Sequence, residues 1–243
     1  MRLLEFLKQS FITRKCVICD EPIDYERRLP ICNRCNDEWL QHLDKLCIKC
    51  GYDCDYCTCV PPVFARKTAR VPIISCVFYI PANGSPVNNV VFKLKREYMK
   101  NIVDFCAELM KEKTISVCKR NNIDYRNFAV TYPTRRKSGK IKYGYDHTEL
   151  LAKAFAKKLG IECIKCFENV GKSEQKSLGK GDRVLNAAGS YRIKDISLKN
   201  KNFFLVDDII TTGATAKVCM ELLRTQGANT VIPVVYAKDT KTE

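Results

Sequence analysis

Residues 203–215 have the sequence FFLVDDIITTGAT, and this stretch constrains the fold more than any other part of the chain. The apolar run 203–206 is typical of a strand in a parallel sheet, because such a strand is covered on both faces and lacks polar alternation. Asp207 and Asp208 stand where this strand is expected to end, and a glycine-containing turn and an amphipathic helix follow them. Open α/β sheets bind ligands at the carboxyl ends of parallel strands. The stretch therefore predicts an α/β fold with a ligand site beside the two acids.

The turn at residues 211–215, Thr-Thr-Gly-Ala-Thr, has the composition of a phosphate site. Its backbone N–H groups and the positive end of the following helix can point at one place, and Gly213 permits a close approach of the backbone. Hydroxyl donors come from three threonines, Thr211, Thr212 and Thr215. Asp207 and Asp208 can accept hydrogen bonds from vicinal sugar hydroxyls. Together these groups describe a site for a ribose 5-phosphate, whereas an ordinary capped helix would leave the paired acids unexplained.

The same stretch resembles the signature of type I phosphoribosyltransferases, which bind 5-phosphoribosyl 1-diphosphate (PRPP) together with Mg²⁺. The resemblance implies that Asp207 and Asp208 hold the ribose hydroxyls. It also implies that the 5-phosphate is held by Thr211, Thr212, Gly213, Ala214 and Thr215. Transfer would pass through an oxocarbenium-like state that a carboxylate can stabilise, and one acid can act as base to the nucleophile. Asp207 and Asp208 are therefore the candidate catalytic residues.

Composition narrows the class of protein. The chain has 243 residues, of which 46% are hydrophobic, and this suffices for one α/β domain and a small module. It has no apolar stretch of about 18 residues, and residues 1–15 lack the apolar core of a signal peptide, so we expect a cytoplasmic protein without a membrane span. The formal net charge of +15 attracts polyanions and phosphorylated ligands, but it does not distinguish nucleic acid from PRPP.

Fifteen cysteines, nine of them between Cys16 and Cys59, favour metal binding over disulfides. Two Cys-x-x-Cys knuckles separated by twelve residues have zinc-ribbon spacing and predict a structural Cys₄ zinc site: Cys16, Cys19, Cys32 and Cys35. The next cysteines offer a second set: Cys47, Cys50, Cys54 and Cys57. Cys59 is then a spare or an alternative ligand, so the module holds one or two zinc ions. A segment so poor in apolar residues cannot build a core alone, and zinc would fold it.

The cysteine module is expected to end at Pro61-Pro62. This boundary predicts a zinc-binding module over residues 1–62 and a phosphoribosyltransferase-like domain over residues 63–243. In the second part strands alternate with helices, which is typical of a parallel sheet with right-handed crossovers. The predicted fold is therefore α/β, with a type I phosphoribosyltransferase-like parallel sheet and flanking helices after a small zinc-ribbon-like module. The strand of the acid pair is expected at residues 202–206.

A basic loop, residues 133–140, follows a predicted strand at residues 128–132. Arg135 and Arg136 stand just after the strand end, where a diphosphate-binding loop would lie. Arginine is suited to bidentate contact with phosphate. We therefore assign both arginines to PRPP binding, with a solvated basic loop as the alternative.

Taken end to end, the chain resembles the ComF family of competence proteins, which join a cysteine module to a phosphoribosyltransferase-like domain. The matching segments are the knuckles at Cys16 and Cys32, residues 47–51, 61–64 and 92–95, and the pattern Gln175-x-x-Leu178 with Arg183-x-x-Asn186. Lys95 best matches the characteristic lysine of the family. The resemblance implies a cytoplasmic role in the uptake of transforming single-stranded DNA, with a helicase-like motor as a partner.

The chain departs from the family pattern in two segments. Residues 130–133 read VTYP where the family usually has VPVP, and residues 143–147 read YGYDH where the family has RGFNQ. An arginine is lost, and an acid and a histidine are gained. Because this second segment is expected to face the diphosphate or the acceptor, the acceptor can differ or the activity can be lower.

Two classes of function are open at this point. The first is an enzyme, a PRPP-dependent glycosyltransferase of the phosphoribosyltransferase class whose acceptor the sequence does not name. The second is a non-enzymatic component of the DNA-uptake machinery that binds single-stranded DNA or docks on a motor. A working PRPP pocket is compatible with both.

Overall fold

The computed structural model describes residues 14–23, 29–59, 61, 64, 73–80, 85–171 and 189–239. The boundary predicted after residue 62 and the pattern at residues 175–186 lie outside the described residues. In the described part of the chain, none of the helices is both long and apolar enough to cross a membrane.

A parallel sheet of four strands forms the centre of the described structure. Its strand order is β3 (Ile74–Tyr79), β8 (Val231–Asp239), β7 (Asn202–Ile210) and β4 (Phe128–Thr131). All three strand pairs are parallel, as the alternation of strands and helices predicted. Two short antiparallel hairpins accompany the sheet: β1 (Arg14–Lys15) with β2 (Pro22–Ile23), and β5 (Phe167–Asn169) with β6 (Tyr191–Ile193).

The central strand β7 is longer than its apolar run suggested. It was expected to end at Val206, but it continues through both acids to Ile210. The reason is tertiary, because Asp207 and Ile209 pair with β8 in the parallel ladder. The acids therefore lie inside the strand, near its carboxyl end. Successive side chains of a strand point to opposite faces of the sheet, so the two acids face opposite sides.

Helices cover both faces of the sheet. The helices are α1 (Asn33–Leu43), α2 (Pro86–Arg96), α3 (Lys100–Arg120), α4 (Lys137–Tyr143), α5 (His147–Leu159) and α6 (Ala214–Thr225). Phe204 and Val206 face the core formed with α2, α3 and α5. Phe203 and Leu205 face a second core formed with α6 and the β5–β6 hairpin. Part of the predicted basic loop is helical, since α4 begins at Lys137.

The cysteine module packs directly on the sheet. Trp39 of α1 stacks on Tyr236 of β8, with 6.0 Å between ring centroids, and meets Phe105 of α3 edge-on at 5.6 Å. His42 Nε2 lies 2.6 Å from the carbonyl oxygen of Phe78 in β3. The module therefore completes its hydrophobic core by sharing the core of the α/β part, in addition to the zinc that the sequence led us to expect.

Candidate functional site

The carboxyl end of β7 opens into a small pocket. β7 ends at Ile210, and α6 begins at Ala214, after a turn in which Gly213 has φ 75°. This left-handed conformation favours glycine. The pocket is lined by Asp207, Ile209, all five residues of the loop 211–215, and Pro133 from the end of β4. The structure thus brings Asp207 and the predicted phosphate loop together at one pocket.

Asp208 lies on the opposite face of the sheet from this pocket. It is buried, and its Oδ2 is 3.2 Å from Lys95 Nζ at the end of α2 and 3.6 Å from His147 Nε2 at the start of α5. Its Oδ1 accepts a hydrogen bond from the Ile209 N–H at 2.9 Å. The structure therefore separates the two acids that the sequence presented as a pair.

The two acids also differ in their affinity for protons. Burial and the adjacent negative charge of Asp208 raise the pKa of Asp207 well above its usual range. Burial acts in the same direction on Asp208, but the Lys95 ammonium and the nearby His147 ring outweigh it and hold the pKa of Asp208 well below its usual range. Asp208 is therefore the member of the pair that ionises more readily, and a nearby cation would favour the ionised form of Asp207.

Lys95 and His147 were not assigned to the acid pair by sequence reasoning. Lys95 was marked as a family match, and His147 as a departure from the family pattern with a histidine available for proton transfer or exposed at a helix start. In the structure His147 is buried, and its Nδ1 has no hydrogen-bond partner among the described residues. The contacts of both residues with Asp208 join parts of the chain that are far apart in sequence, so no local pattern could have revealed them.

Arg135 and Arg136 occupy different surroundings. The Arg135 guanidinium donates from both terminal nitrogens to the carbonyl oxygen of Lys95, at 3.2 Å each, and lies 4.3 Å from the ring centroid of Tyr143. Arg136 lies beside it along an open cleft of about 640 Å³ next to the β5–β6 hairpin. Arg135 thus fixes the end of α2 and also lines this cleft, whereas the hydrogen bonds to Lys95 are made by Arg135 alone.

The cleft beside Arg136 is basic. Further cations along it are Arg135, Lys137, Lys140, Lys165 and Lys194, and the acid along it is Glu168. Thr134 also lines the cleft, and its buried Oγ1 has no hydrogen-bond partner among the described residues. Because Pro133 lines the phosphate-loop pocket and Thr134 lines the cleft, the two cavities adjoin at the end of β4.

Asp146 anchors the loop that carries these arginines. It is buried at the N-cap of α5, where its Oδ1 accepts from the Glu149 N–H at 3.3 Å. Its Oδ2 accepts from the Arg135 N–H at 2.8 Å and lies 3.0 Å from Lys140 Nζ. The acid that the chain gains in its departure from the family pattern therefore holds the start of the basic cleft in place.

The first cysteine group matches the predicted set. The thiols of Cys16, Cys19, Cys32 and Cys35 all lie within 4.8 Å of one another. Such spacing suits a tetrahedral zinc ion with Zn–S bonds of about 2.3 Å. Although burial opposes it, hydrogen bonds from the Glu21 backbone and from the neighbouring thiols lower the pKa of the Cys19 thiol to about 7. A thiolate, the form that binds zinc, is thus accessible near neutral pH.

The second cysteine group differs from the predicted set by one residue. Its members are Cys47, Cys50, Cys57 and Cys59, again within 4.8 Å of one another. Cys54, which spacing placed in this group, turns toward β3, where its Sγ lies 3.1 Å from Ser75 Oγ. Cys59 takes its place, as the alternative assignment of the spare cysteine allowed. All fifteen cysteines are free thiols, so both groups are open to a metal.

Comparison with known families gives a match in the C-terminal part of the chain. Residues 149–243 match the phosphoribosyl transferase domain. The DNA utilization protein YhgH of Salmonella typhimurium is 24% identical over 229 residues, which cover 89% of this chain and 93% of that protein. The protein of the same name from Salmonella typhi matches equally well. These matches, with the cysteine groups, confirm the resemblance to the ComF family that the motifs indicated.

Similar solved structures include phosphoribosyl transferases. The hypoxanthine-guanine phosphoribosyl transferase of L. donovani has a TM-score of 0.33 and 15% identity, covering 56% of this chain and 67% of that chain. The hypoxanthine phosphoribosyltransferase of Staphylococcus aureus has a TM-score of 0.36 and 16% identity, covering 60% of this chain and 77% of that chain. The predicted fold class, an α/β phosphoribosyltransferase-type fold after a cysteine module, is confirmed by the domain match and the parallel sheet.

Proposed function

We propose that the protein binds PRPP with Mg²⁺, transfers its phosphoribosyl group to an acceptor, and serves the uptake of transforming DNA in the cytoplasm. One observation carries the binding proposal: Asp207 and the loop 211–215 line a single pocket at the carboxyl end of β7. The domain match supports the chemistry. The printed name of the Salmonella relatives, DNA utilization protein, supports the cellular role.

The pocket and the adjoining cleft are suited to different parts of the PRPP molecule. The N–H groups of the loop 211–215 at the start of α6 suit the 5-phosphate. Asp207 is placed to accept hydrogen bonds from the ribose hydroxyls. Arg136 and Lys137 lie in the cleft on the other side of Pro133, where they suit the diphosphate. Arg135 contributes by fixing the last turn of α2, which carries Lys95.

The residues present fit a magnesium ion, because Asp207 brings a carboxylate to the pocket and Mg²⁺ takes oxygen ligands, several of them from substrate phosphates. When bound, the ion would neutralise the charge of the diphosphate. In the transfer, the bond from ribose C1 to the diphosphate breaks, its electron pair leaves with the diphosphate, and the acceptor nucleophile bonds to C1. Asp207 can stabilise the positive charge that develops on the sugar. Asp208 positions Lys95 and His147 beside it.

Diphosphate release tests the transfer reaction. The zinc-loaded protein is incubated with PRPP and Mg²⁺ and a pool of nucleobases and amines, and released diphosphate is measured with an enzyme-coupled assay. The proposal predicts acceptor-dependent release that Asp207→Asn reduces by about 10-fold or more, as for loss of a group that stabilises the transition state. Release that is absent with every acceptor would contradict the transfer step but leave PRPP binding to be measured by itself.

Binding of single-stranded DNA is a second candidate function, and it rests on an exposed patch of aromatic and basic residues. Phe92 and Tyr98 are 49% and 66% exposed, and Arg96 lies 4.3 Å from the Phe92 ring centroid. Tyr98 meets Tyr145 edge-on at 5.8 Å. Exposed aromatic rings beside cations are the platforms on which single-stranded bases stack.

The DNA proposal is tested by binding of a labelled oligonucleotide across a range of salt concentrations. Affinity should fall steeply with salt, and Phe92→Ala and Tyr98→Ala should each weaken it. Affinity that is insensitive to salt or unchanged in both variants would contradict it. A helicase-like motor stays a predicted partner. Leu46 and Ile48 of the cysteine module are exposed apolar residues on which such a partner could dock.

A further inference from the structure

Lys238 is a buried lysine at the carboxyl end of β8, with 3% of its surface exposed. Its Nζ lies 3.2 Å from Cys57 Sγ, and it donates to the carbonyl oxygens of Cys57 at 3.4 Å and Cys59 at 3.3 Å. It also lies 5.5 Å from the ring centroid of Phe78, within cation–π range. A buried ammonium group needs compensation for its lost hydration. The second cysteine group supplies that compensation.

A nearby positive charge would, in turn, stabilise the second cysteine group when it holds a metal ion. Four thiolates around a divalent zinc ion carry a net negative charge, and Cys57 is one of the four. Groups that hydrogen-bond to metal ligands orient those ligands and tune the affinity of the site. We propose that Lys238 is a built-in part of the second metal centre, where it donates an N–H···S hydrogen bond to the Cys57 thiolate and offsets part of the charge of a zinc tetrathiolate.

Lys113 of α3 provides a matched comparison in the same region. It is also a largely buried lysine, and it pairs with the carboxylate of Asp55, in the loop between Cys54 and Cys57. Lys113 therefore helps to dock the same loop through a carboxylate, whereas Lys238 reaches the thiol itself. Replacing each lysine separates docking of the loop from support of the metal centre.

The position of Lys238 also ties the metal centre to the sheet. Lys238 pairs with Ile210 in the parallel register of β8 and β7, and Ile210 directly precedes the loop 211–215. The last strand of the α/β part thus contributes to a metal centre whose ligands come from the cysteine module. The two parts of the chain share this centre as well as the core around Trp39.

Zinc affinity, measured by competition with a chromophoric chelator at neutral pH, tests this proposal without reference to PRPP. The wild type should hold two zinc ions per chain. Lys238→Met should weaken one of them about 10–100-fold, the range found when outer-sphere partners are removed, and leave the other unchanged. Lys238→Arg and Lys113→Met should keep both ions at wild-type affinity.

Two controls keep the result interpretable. The ion of the first group reports on folding, because Cys16 and Cys35 are buried in the shared core. In a Cys47→Ser/Cys50→Ser background, which removes the second group, Lys238→Met should change nothing further. Wild-type affinity for both ions in Lys238→Met, loss of both ions together, or an equal loss in Lys238→Arg would overturn the proposal.

Discussion

The Nζ of Lys95 lies 3.2 Å from Oδ2 of Asp208, so the last turn of α2 is tied to the acid pair on the central strand. This contact places the two acids in different electrostatic surroundings. Asp208 is compensated by Lys95 and His147 on one face of the sheet, whereas Asp207 is left for the pocket on the other face. Asp207 accepts a hydrogen bond from the Asp208 N–H at 2.9 Å, and a ligand with hydroxyl donors would add further compensation in the pocket.

Asp207→Asn should stabilise the protein while it weakens PRPP binding. Because the pKa of this carboxyl is raised in the folded state, it destabilises the fold increasingly as the pH rises above the unfolded-state pKa, and a neutral amide removes this cost. We expect the midpoint of thermal unfolding at pH 7 to rise by about 2–4 °C, which corresponds to about 1 kcal/mol in a chain of this size. A lower midpoint would show that Asp207 holds the fold together and is not kept for a ligand.

Asp208→Asn should have the opposite effect on stability. It leaves Lys95 beside a neutral amide and removes a buried carboxylate that accepts from the Ile209 N–H. Because Lys95 is 40% exposed, the expected loss is moderate, about 1–3 kcal/mol, as for a hydrogen bond to a charged group. Urea unfolding at pH 7 measures it, with Asp207→Asn as the matched variant. Equal effects of the two substitutions would contradict the division of roles.

The stabilising effect of Lys95 should depend on pH in a defined direction. The pKa of Asp208 is depressed in the folded state, so its contribution is fully present above the unfolded-state pKa of about 3.9 and is lost as the pH falls toward the folded-state pKa. The difference in unfolding free energy between wild type and Lys95→Met should therefore be constant from about pH 7 to 5 and shrink below about pH 4. A difference that grows on acidification would contradict the ion pair.

Cys59→Ser and Cys54→Ser should differ in zinc content. Cys59 lies in the second thiol group, and Cys54 contacts Ser75 instead. Metal analysis of the purified variants should find two zinc ions per chain in Cys54→Ser and about one in Cys59→Ser, because structural sites need all four ligands. The reverse pattern would restore the assignment that spacing alone suggested.

Local sequence signals predicted the parts of the structure that local interactions determine. The order of strand, acids, glycine turn and helix at residues 202–226 could be predicted, because each element is determined by neighbouring residues. The end of β7 at Ile210 could not be predicted from the local sequence, because pairing with β8 extends the strand. Cysteine spacing gave the number of knuckles, but it could not distinguish Cys54 from Cys59, because a hydrogen bond to β3 decides between them.

The contacts that sequence reasoning missed all join distant parts of the chain. Lys95, His147 and Asp208 meet only because α2 and α5 pack on the same face of the sheet. Lys238 reaches Cys57 from the other end of the chain. Such contacts depend on the packed arrangement of whole elements, and no pattern of neighbouring residues encodes them.

Calorimetric titration of PRPP with Mg²⁺ into the zinc-loaded protein tests the central claim most directly. The proposal predicts binding at one site per chain, about 10–100-fold weaker in Asp207→Asn because hydrogen bonds to the carboxylate are lost. It should be unchanged in Glu221→Gln, which alters an exposed acid on α6. An absence of binding heat in the folded wild type, or equal affinity in Asp207→Asn, would contradict the claim that Asp207 and the loop 211–215 form a PRPP pocket.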